Sequence, residues 1–188
     1  MISPEEITVS QFTSPDEFSD FQCEKTEYSD FVQKPEEAQR YQKQNLGITY
    51  AFKYQGKPVG FVTLAMAGLR KVRLEEERQD QKPGVRDVPS LLLGHWARDS
   101  RYIGKGVGKI MMAWVLARAS EVGMQIGCRY VILDSEPDMV EHYKKHYSFE
   151  QIPPSKEDKK NRQVLMFFDL GLRPNDHSDS LNTTKELH

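Results

Sequence analysis

The sequence predicts a single α/β domain, and three observations lead to that prediction. A β-hairpin pattern runs from 48 to 67, an apolar strand at 90–98 leads through a glycine turn into a helix, and a second strand-helix pair follows at 129–146. Strands that alternate with helices favour parallel pairing, and the hairpin adds an antiparallel pair. The 188 residues suffice for one domain with appendages but not for two full-sized domains.

The first part of the chain is acidic and then turns into the hairpin. Residues 1–40 hold ten acids and three bases. Asp16 follows Ser14-Pro15 and can cap a helix that carries Phe18 and Phe21 and could extend to Tyr28 and Phe31. Beyond it, β-branched and aromatic residues at 48–54, the turn Gln55-Gly56-Lys57-Pro58 and an apolar run at 59–67 predict two antiparallel strands.

The second part contains the alternating elements. The charged, weakly apolar segment 70–87 predicts a long loop or an exposed short helix, and SLLLGHWAR at 90–98 predicts a buried strand. Helices follow at 110–122 and 137–146, with the strand RYVILD between them and VLMFFDL after them. The domain is expected to cover 1–171, and the polar tail 172–188 is expected to be disordered.

Composition excludes several classes of function. With a net charge of -2, the protein lacks the overall positive field of a general nucleic-acid binder. Any binding of nucleic acid must therefore use a local part of the surface. No apolar run is long enough to span a bilayer, and we expect a cytoplasmic protein. Cys23 and Cys128 are expected to be reduced thiols, and His142 and His146, which lack a third ligand, are not expected to bind a metal.

The strongest chemical signal is the run of glycines at positions 104, 106 and 108 between a strand and a helix. Glycines there let the backbone approach a ligand and turn its N–H groups outward, and the helix macrodipole favours an anion at the same place. Lys105 and Lys109 add positive charge. The spacing G-K-G-V-G-K differs from the two common nucleotide-binding motifs, so it predicts a different phosphate ligand.

Arg101-Tyr-Ile-Gly104-Lys-Gly106 resembles the Q/R-x-x-G-x-G/A pyrophosphate loop of the GNAT superfamily of acetyl-CoA-dependent N-acetyltransferases. The resemblance covers about residues 5–170 in element order. It implies a mixed, splayed β-sheet of about six or seven strands with helices on both faces, in which the pantetheine arm of acetyl-CoA lies between the splayed strands. It also implies a set of cofactor-binding residues: Trp96, Ala97, Arg98, Ile103, Gly104, Lys105, Gly106, Val107, Gly108 and Lys109.

Two further segments are similar to the GNAT toxins of toxin-antitoxin pairs, which acetylate the amino group of aminoacyl-tRNA and stop translation. Phe21-Gln-Cys23, followed by Tyr28-Ser-Asp-Phe31, matches their F-x-C opening and L-x-x-F continuation, and 93–99 (LGHWARD) matches their L-G-R-L-A-V-D strand. Tyr28 and His95 stand where those toxins have Leu and Arg. The resemblance implies aminoacyl-tRNA as acceptor, a small antitoxin partner and a homodimer.

A third match concerns the catalytic acid. Met139-Val-Glu-His142-Tyr143 looks like the A-x-x-F-Y segment of the family, whose tyrosine hydroxyl lies near the CoA sulfur, so Tyr143 is the predicted general acid. A phenol can protonate a departing thiolate. The helix ends one residue later than in the family and lacks the usual glycine, which leaves Tyr147 as the alternative, along with a purely structural role for both tyrosines.

The sequence leaves more than one acceptor open. No acid is obviously placed as a general base, which favours an α-amine because its pKa of about 7.7 leaves a neutral fraction at physiological pH. His95 could serve as base, although a structural role is the commoner one for a lone histidine on a strand. A small amine or a protein N-terminus suits the acidic first forty residues, and a non-catalytic acyl-CoA sensor or partner-binding module is the remaining hypothesis.

Overall fold

The computed structural model describes residues 1–34, 36–70, 73–74, 85–153 and 163–171, and its centre is one mixed sheet of seven strands in the order β1-β2-β3-β4-β5-β7-β6. Only the β4–β5 pair is parallel. In chain order the strands are β1 (Ile7–Gln11), β2 (Ile48–Tyr54), β3 (Lys57–Arg70), β4 (Asp87–Arg98), β5 (Tyr130–Ser135), β6 (Glu150–Gln151) and β7 (Val164–Asp169). The helices are α1 (Thr26–Gln33), α2 (Glu37–Lys43), α3 (Val107–Ile126) and α4 (Val140–Tyr147).

Helices cover both faces of the sheet, so the predicted fold class is confirmed. Long α3 presents a stripe of buried side chains at helical spacing, including Met111, Val115 and Ala119, which packs with α4 on one face. On the opposite face α1 and α2 cover an aromatic core. This second core contains the rings of Phe12, Phe18, Phe21, Phe31 and Phe61.

The hairpin forms as predicted, with its first strand at the predicted bounds, but its second strand is longer and its turn is tighter. Gln55 and Gly56 alone make the turn, with φ angles of 50° and 77°, a two-residue geometry that matches the twist of the flanking strands. Strand β3 continues to Arg70 because it pairs along its length with β4, where Arg70 lies opposite Asp87. The ends of the predicted 70–87 loop therefore belong to strands. Residues 71–72 and 75–84 of that prediction, and the tail 172–188, lie outside the described residues.

The predicted N-terminal helix is divided in the structure. Pro15–Phe18 forms a 3-10 turn, and α1 starts only at Thr26. The side-chain amide of Gln33 in α1 donates to the carbonyl oxygens of Phe18 and Phe21, at 2.7 and 2.8 Å. The aromatic residues therefore enter the core from an irregular segment that α1 holds in place.

The sheet splays between β4 and β5, as the resemblance implies. Their pairing covers only Ser90–Leu92 of β4, although β4 continues to Arg98 and β5 to Ser135. Gly94 is unpaired with β3, because Leu64 pairs with Leu93 and Thr63 with His95. This β-bulge inverts the alternation of side chains and re-aims the strand at the gap. Beyond it Trp96 lies on the α3/α4 face and His95 on the α1/α2 face.

Candidate active site

The glycine loop leaves main-chain donors free at the start of α3. Gly104 and Gly106 have φ angles of 76° and 89°, which glycine adopts without strain. Within the part of the chain that the structure describes, the loop amides divide into two sets. Those of Ile103, Lys105 and Lys109 donate within the turn, whereas those of Gly104, Gly106, Val107 and Gly108 have no protein acceptor. Free amides at the N-terminus of a 20-residue helix fit an anionic ligand.

The N-terminal residues approach this loop from one side. The Ile2 amide donates to the Lys105 carbonyl oxygen at 2.9 Å, so the first residues of the chain stabilise the glycine turn. A side chain at Gly106 would bring a Cβ within 3.4 Å of the Met1 methyl group. Gly104 has open space where a Cβ would stand. The open side of the loop is therefore at Gly104.

Strand β4 supplies three predicted cofactor residues that face different ways. Trp96 and Arg98 lie close to Gly108, since a Cβ there would be 3.7 Å from the indole ring and 3.8 Å from the Arg98 Nη1. Ala97 is buried beneath α1, so only its main chain can reach a ligand in the gap. Among the described residues, the buried Nε of Arg98 has no hydrogen-bond partner. The guanidinium is therefore available to an incoming anion.

The other basic residues differ in how free they are. Lys105 and Lys109 are exposed beside the loop, with the Lys105 ammonium 4.7 Å from the centre of the Tyr102 ring. Arg101, the first residue of the loop motif, binds the Asp99 carboxylate at 2.6 Å and the Asp20 carbonyl oxygen at 2.8 Å. Arg118 pairs with Glu121 at 2.8 Å. Of the basic residues in this region, Arg98, Lys105 and Lys109 are therefore the best placed for phosphates.

Asp99 joins the two segments that resemble the toxins. Its side chain is fully buried and accepts hydrogen bonds from the Arg101 side chain and from the amide of Gln22, the middle residue of the F-x-C match. The Ser100 amide returns a bond to the Gln22 carbonyl oxygen at 2.7 Å. Both segments could be recognised in the sequence, but their contact could not, because 77 residues separate Gln22 from Asp99.

The Asp99 network should contribute measurably to stability. We expect Asp99→Asn to lower the free energy of unfolding by about 2–4 kcal/mol, because the new amide turns N–H donors toward existing donors. Burial alone would raise the pKa of Asp99, but the hydrogen bonds from Arg101 and Gln22 outweigh it and leave this pKa below its usual value. A depressed folded pKa adds stability above the unfolded pKa of about 3.9, and this stability is lost as pH falls through the folded value.

Urea unfolding at several pH values measures both effects. The difference in the free energy of unfolding between wild type and Asp99→Asn should be largest near pH 6–7. It should become smaller as the pH falls below about 4. Asp16→Asn, at an exposed carboxyl outside this network, is the matched control. A gap that stays constant down to pH 3 would mean that the charge of Asp99 does not stabilise the fold.

The predicted acid Tyr143 lies on α4 and packs against the splayed strand. Its ring centre is 5.6 Å from that of Trp96 and 5.9 Å from that of Phe149. Burial raises the pKa of Tyr143, and the neighbouring Tyr28 raises it further, so the phenol is neutral at physiological pH. Ser148 ends the helix at a φ of 57°, the left-handed conformation that glycine normally supplies. The helix thus closes without the glycine of the family pattern.

Tyr147 occupies a different part of the same face. Its hydroxyl oxygen would be 3.5 Å from a Cβ at Gly108, and the charge of Arg98 acts on it. Burial raises the pKa of Tyr147 as well. Tyr143 lies near Tyr28 at the gap, whereas Tyr147 lies beside the first turn of α3, where the phosphates are predicted. The geometry therefore favours Tyr143 as the general acid that acts at the thioester, and it favours Tyr147 for contact with the cofactor arm.

A cavity of about 240 Å³ opens on the other face of the splayed strands. His95 lines it and stacks on Phe31 with ring centres 3.9 Å apart. Tyr28 and Tyr41 contact the imidazole edge-on, at 6.3 and 6.0 Å between ring centres. The sequence favours a structural role for His95, and it could not show these aromatic neighbours because they come from distant helices. The remaining lining residues are Leu46, Thr63, Ala65, Leu92, Leu93, Gly94 and Asp134.

Neither a metal-binding cluster nor a membrane-spanning helix is found among the described residues. The rings of His142 and His146 are 4.8 Å apart between centres, and the described residues contain no group of three or more His, Cys, Asp or Glu able to hold a metal ion. Cys23 and Cys128 are free thiols. No helix in the described ranges has the length and apolar character needed to cross a membrane.

The family model of the acetyltransferase (GNAT) family matches residues 16–149, and the chain therefore belongs to that family. It is an acetyltransferase, and acetyl-CoA is its co-substrate. A comparison with curated proteins found no match.

Solved structures of GNAT toxins share the fold. AtaT complexed with acetyl-methionyl-tRNAfMet superposes with a TM-score of 0.74 at 16% identity, over 87% of this chain and 94% of that one. A KacT mutant with tyrosine replaced by phenylalanine gives 0.74 at 17% identity, over 88% and 95%. A corresponding AtaT mutant, bound to the C-terminus of the antitoxin AtaR and acetyl-CoA, gives 0.65 at 17% identity, over 87% and 93%.

Proposed function

We propose that this acetyltransferase transfers the acetyl group of acetyl-CoA to the α-amino group of an aminoacyl-tRNA. The observation that carries the proposal is the small cavity at the splay, which opens on the face opposite the glycine loop. At about 240 Å³ it is smaller than the pockets that enclose drug-sized ligands and fits one aminoacyl group. The rest of such an acceptor would stay outside, as a tRNA must.

The chemistry follows from the placement of the side chains around the gap. The amine nitrogen attacks the thioester carbonyl carbon, a C–N bond forms, and the C–S bond breaks with its electron pair passing to sulfur. The Tyr143 phenol would protonate that thiolate, and most of the remaining acceleration would come from holding both reactants together. Arg98, the free loop amides and the exposed lysines would bind the phosphates of CoA.

The toxin-like relatives support an aminoacyl-tRNA acceptor and a protein inhibitor. The neighbouring structures include AtaT with acetyl-methionyl-tRNAfMet and AtaT with the antitoxin AtaR. In this chain Asp99 ties together the two segments that resemble such toxins, which supports the same subfamily. By the same resemblance, an antitoxin would cover the active-site face and the enzyme would form a homodimer.

A small amine or a protein N-terminus is the second candidate acceptor. The specific observation in its favour is an acidic residue, Asp134, among those that line the cavity. The acidic residues of the first forty positions act in the same direction. The third hypothesis, a non-catalytic acyl-CoA sensor or partner-binding module, predicts binding of acetyl-CoA without turnover.

Radiolabelled acetyl-CoA and charged tRNA distinguish these functions. Purified enzyme should label total tRNA charged with the twenty amino acids, and the label should be lost on alkaline hydrolysis of the ester bond as N-acetyl amino acid. Expression in a bacterial host should arrest growth, and Tyr143→Phe should relieve the arrest. Label on free amines or peptide N-termini but on no charged tRNA would establish the second candidate, and binding without any label would establish the third.

A further inference from the structure

Among the residues that the structure describes, the imidazole of His95 has no hydrogen-bond partner, and it has access to the gap. Its Nδ1 is buried and has no partner among the described residues, and no hydrogen bond is made at Nε2 by any of them either. Because Nε2 is not among the buried unpaired atoms and His95 lines the cavity, this second nitrogen faces the open volume. A polar group held in this way is costly unless a ligand completes its hydrogen bonding.

The surroundings of His95 keep the ring fixed and uncharged. Phe31 and Tyr28 of α1 and Tyr41 of α2 enclose it, and burial lowers its pKa below the usual 6.5. Glu37 on α2 acts against burial and raises the pKa of His95. Thr63 of β3 lies opposite His95 in the sheet, and Asp134 of β5 lines the same cavity. A neutral imidazole with a free nitrogen can accept a proton.

The position of His95 complements that of Tyr143. The bulge at Gly94 places His95 on the α1/α2 face of β4, whereas Trp96 and Tyr143 lie on the α3/α4 face. Tyr28 of α1 contacts the imidazole edge-on from the His95 side, with ring centres 6.3 Å apart. An acid and a base therefore stand on opposite faces of one strand at the point where the sheet opens.

We infer that His95 is the general base of this enzyme, and that its Nε2 takes the proton of an acceptor ammonium group bound in the cavity. The inference rests on an amine acceptor, as in the proposed function, but not on that amine being attached to tRNA. The ammonium loses H⁺ to His95, and the neutral amine attacks the thioester. CoA sulfur receives a proton from Tyr143, the phenolate recovers one from the new N-acetylated ammonium, and the imidazolium releases its proton to water.

The pH dependence separates this role from a structural one. Above its own pKa the neutral His95 accepts a proton from the ammonium form, so the wild-type kcat/KM should change little between about pH 7.7 and 6.5. His95→Gln must wait for free amine, so its kcat/KM should fall about tenfold per pH unit in that range. At pH 8 the loss should be less than about threefold, since about two-thirds of the amine is already neutral there, and it should reach about 15-fold at pH 6.5.

The measurements use acetyl transfer to charged total tRNA and, in parallel, to amino acid methyl esters. Acetyl-CoA binding by calorimetry and the unfolding midpoint should match wild type in His95→Gln, which shows that fold and cofactor site are intact. His146→Gln, an exposed histidine, is the matched control and should keep the wild-type pH profile. In His95→Ala, added imidazoles should restore activity in the order of their basicity, which a merely structural gap would not do.

Three results would overturn the inference. One is a His95→Gln enzyme within about threefold of wild type at every pH, another is a uniform loss with an unchanged pH profile, and the third is a His95→Ala enzyme insensitive to imidazole. Failure of the proposed function looks different, because the wild type itself would then label the esters or other amines but no charged tRNA. The same His95 comparison would still be made on those amines.

Discussion

Replacing Tyr143 by phenylalanine should lower kcat by about 10³-fold and leave the affinity for acetyl-CoA within about threefold of wild type. The ring of Tyr143 packs against Trp96 and Phe149, and phenylalanine retains those contacts. Only the hydroxyl is lost, and the thiolate must then leave without a proton. Steady-state kinetics with the best acceptor and calorimetric titration of acetyl-CoA measure the two quantities separately.

Tyr147→Phe is the matched comparison for this substitution. Tyr147 is also half-buried on α4, but its hydroxyl lies beside Gly108 and not at the gap. We expect that variant to lose affinity for acetyl-CoA more than kcat. The reverse pattern, with a large kcat loss in Tyr147→Phe and a small one in Tyr143→Phe, would transfer the acid to Tyr147.

The raised pKa of Tyr143 has a consequence for the pH profile. Because burial raises this pKa above its ordinary value of about 10, the phenol remains protonated throughout the range in which the amine titrates. The profile of kcat/KM should therefore show no descending limb below about pH 10. A fall in rate between pH 8 and 9.5 would require a different group as the acid.

The elements that could be predicted from sequence are those specified by local pattern. The glycines at 104, 106 and 108 follow a strand and precede an apolar helix, and the structure forms that sequence of elements because each step depends on neighbouring residues. The Gln55-Gly56 turn has the same local origin. For the same reason the loop resembles a family motif at the level of sequence alone.

The arrangement of side chains around the gap could not be predicted in the same way. The face on which His95 lies depends on the bulge at Gly94, which exists only when β4 pairs with β3. Its aromatic surroundings come from α1 and α2, which precede it by more than fifty residues. The hydrogen-bond network of Asp99 and Arg101 is equally unpredictable from local sequence. It depends on the 20–22 segment lying beside the end of β4.

Gly104→Val should weaken acetyl-CoA binding by at least about 100-fold, the largest effect that we expect on the cofactor site. The φ of 76° at Gly104 is unfavourable for a branched side chain, and the side chain would occupy the open space in front of the free loop amides. A 100-fold larger dissociation constant corresponds to a loss of about 2.7 kcal/mol of binding free energy. Isothermal titration of acetyl-CoA into both proteins gives the comparison directly.

Gly56→Val provides a control matched in backbone conformation. Gly56 has a φ of 77°, and a Cβ at this position would likewise have no atom within 4 Å, but the residue lies in the hairpin turn. Both variants should lose about 1–2 kcal/mol of stability from the same strain, and only Gly104→Val should lose the cofactor. Equal affinities in the two variants would show that the loop amides do not bind the diphosphate, because strain alone would then account for every change.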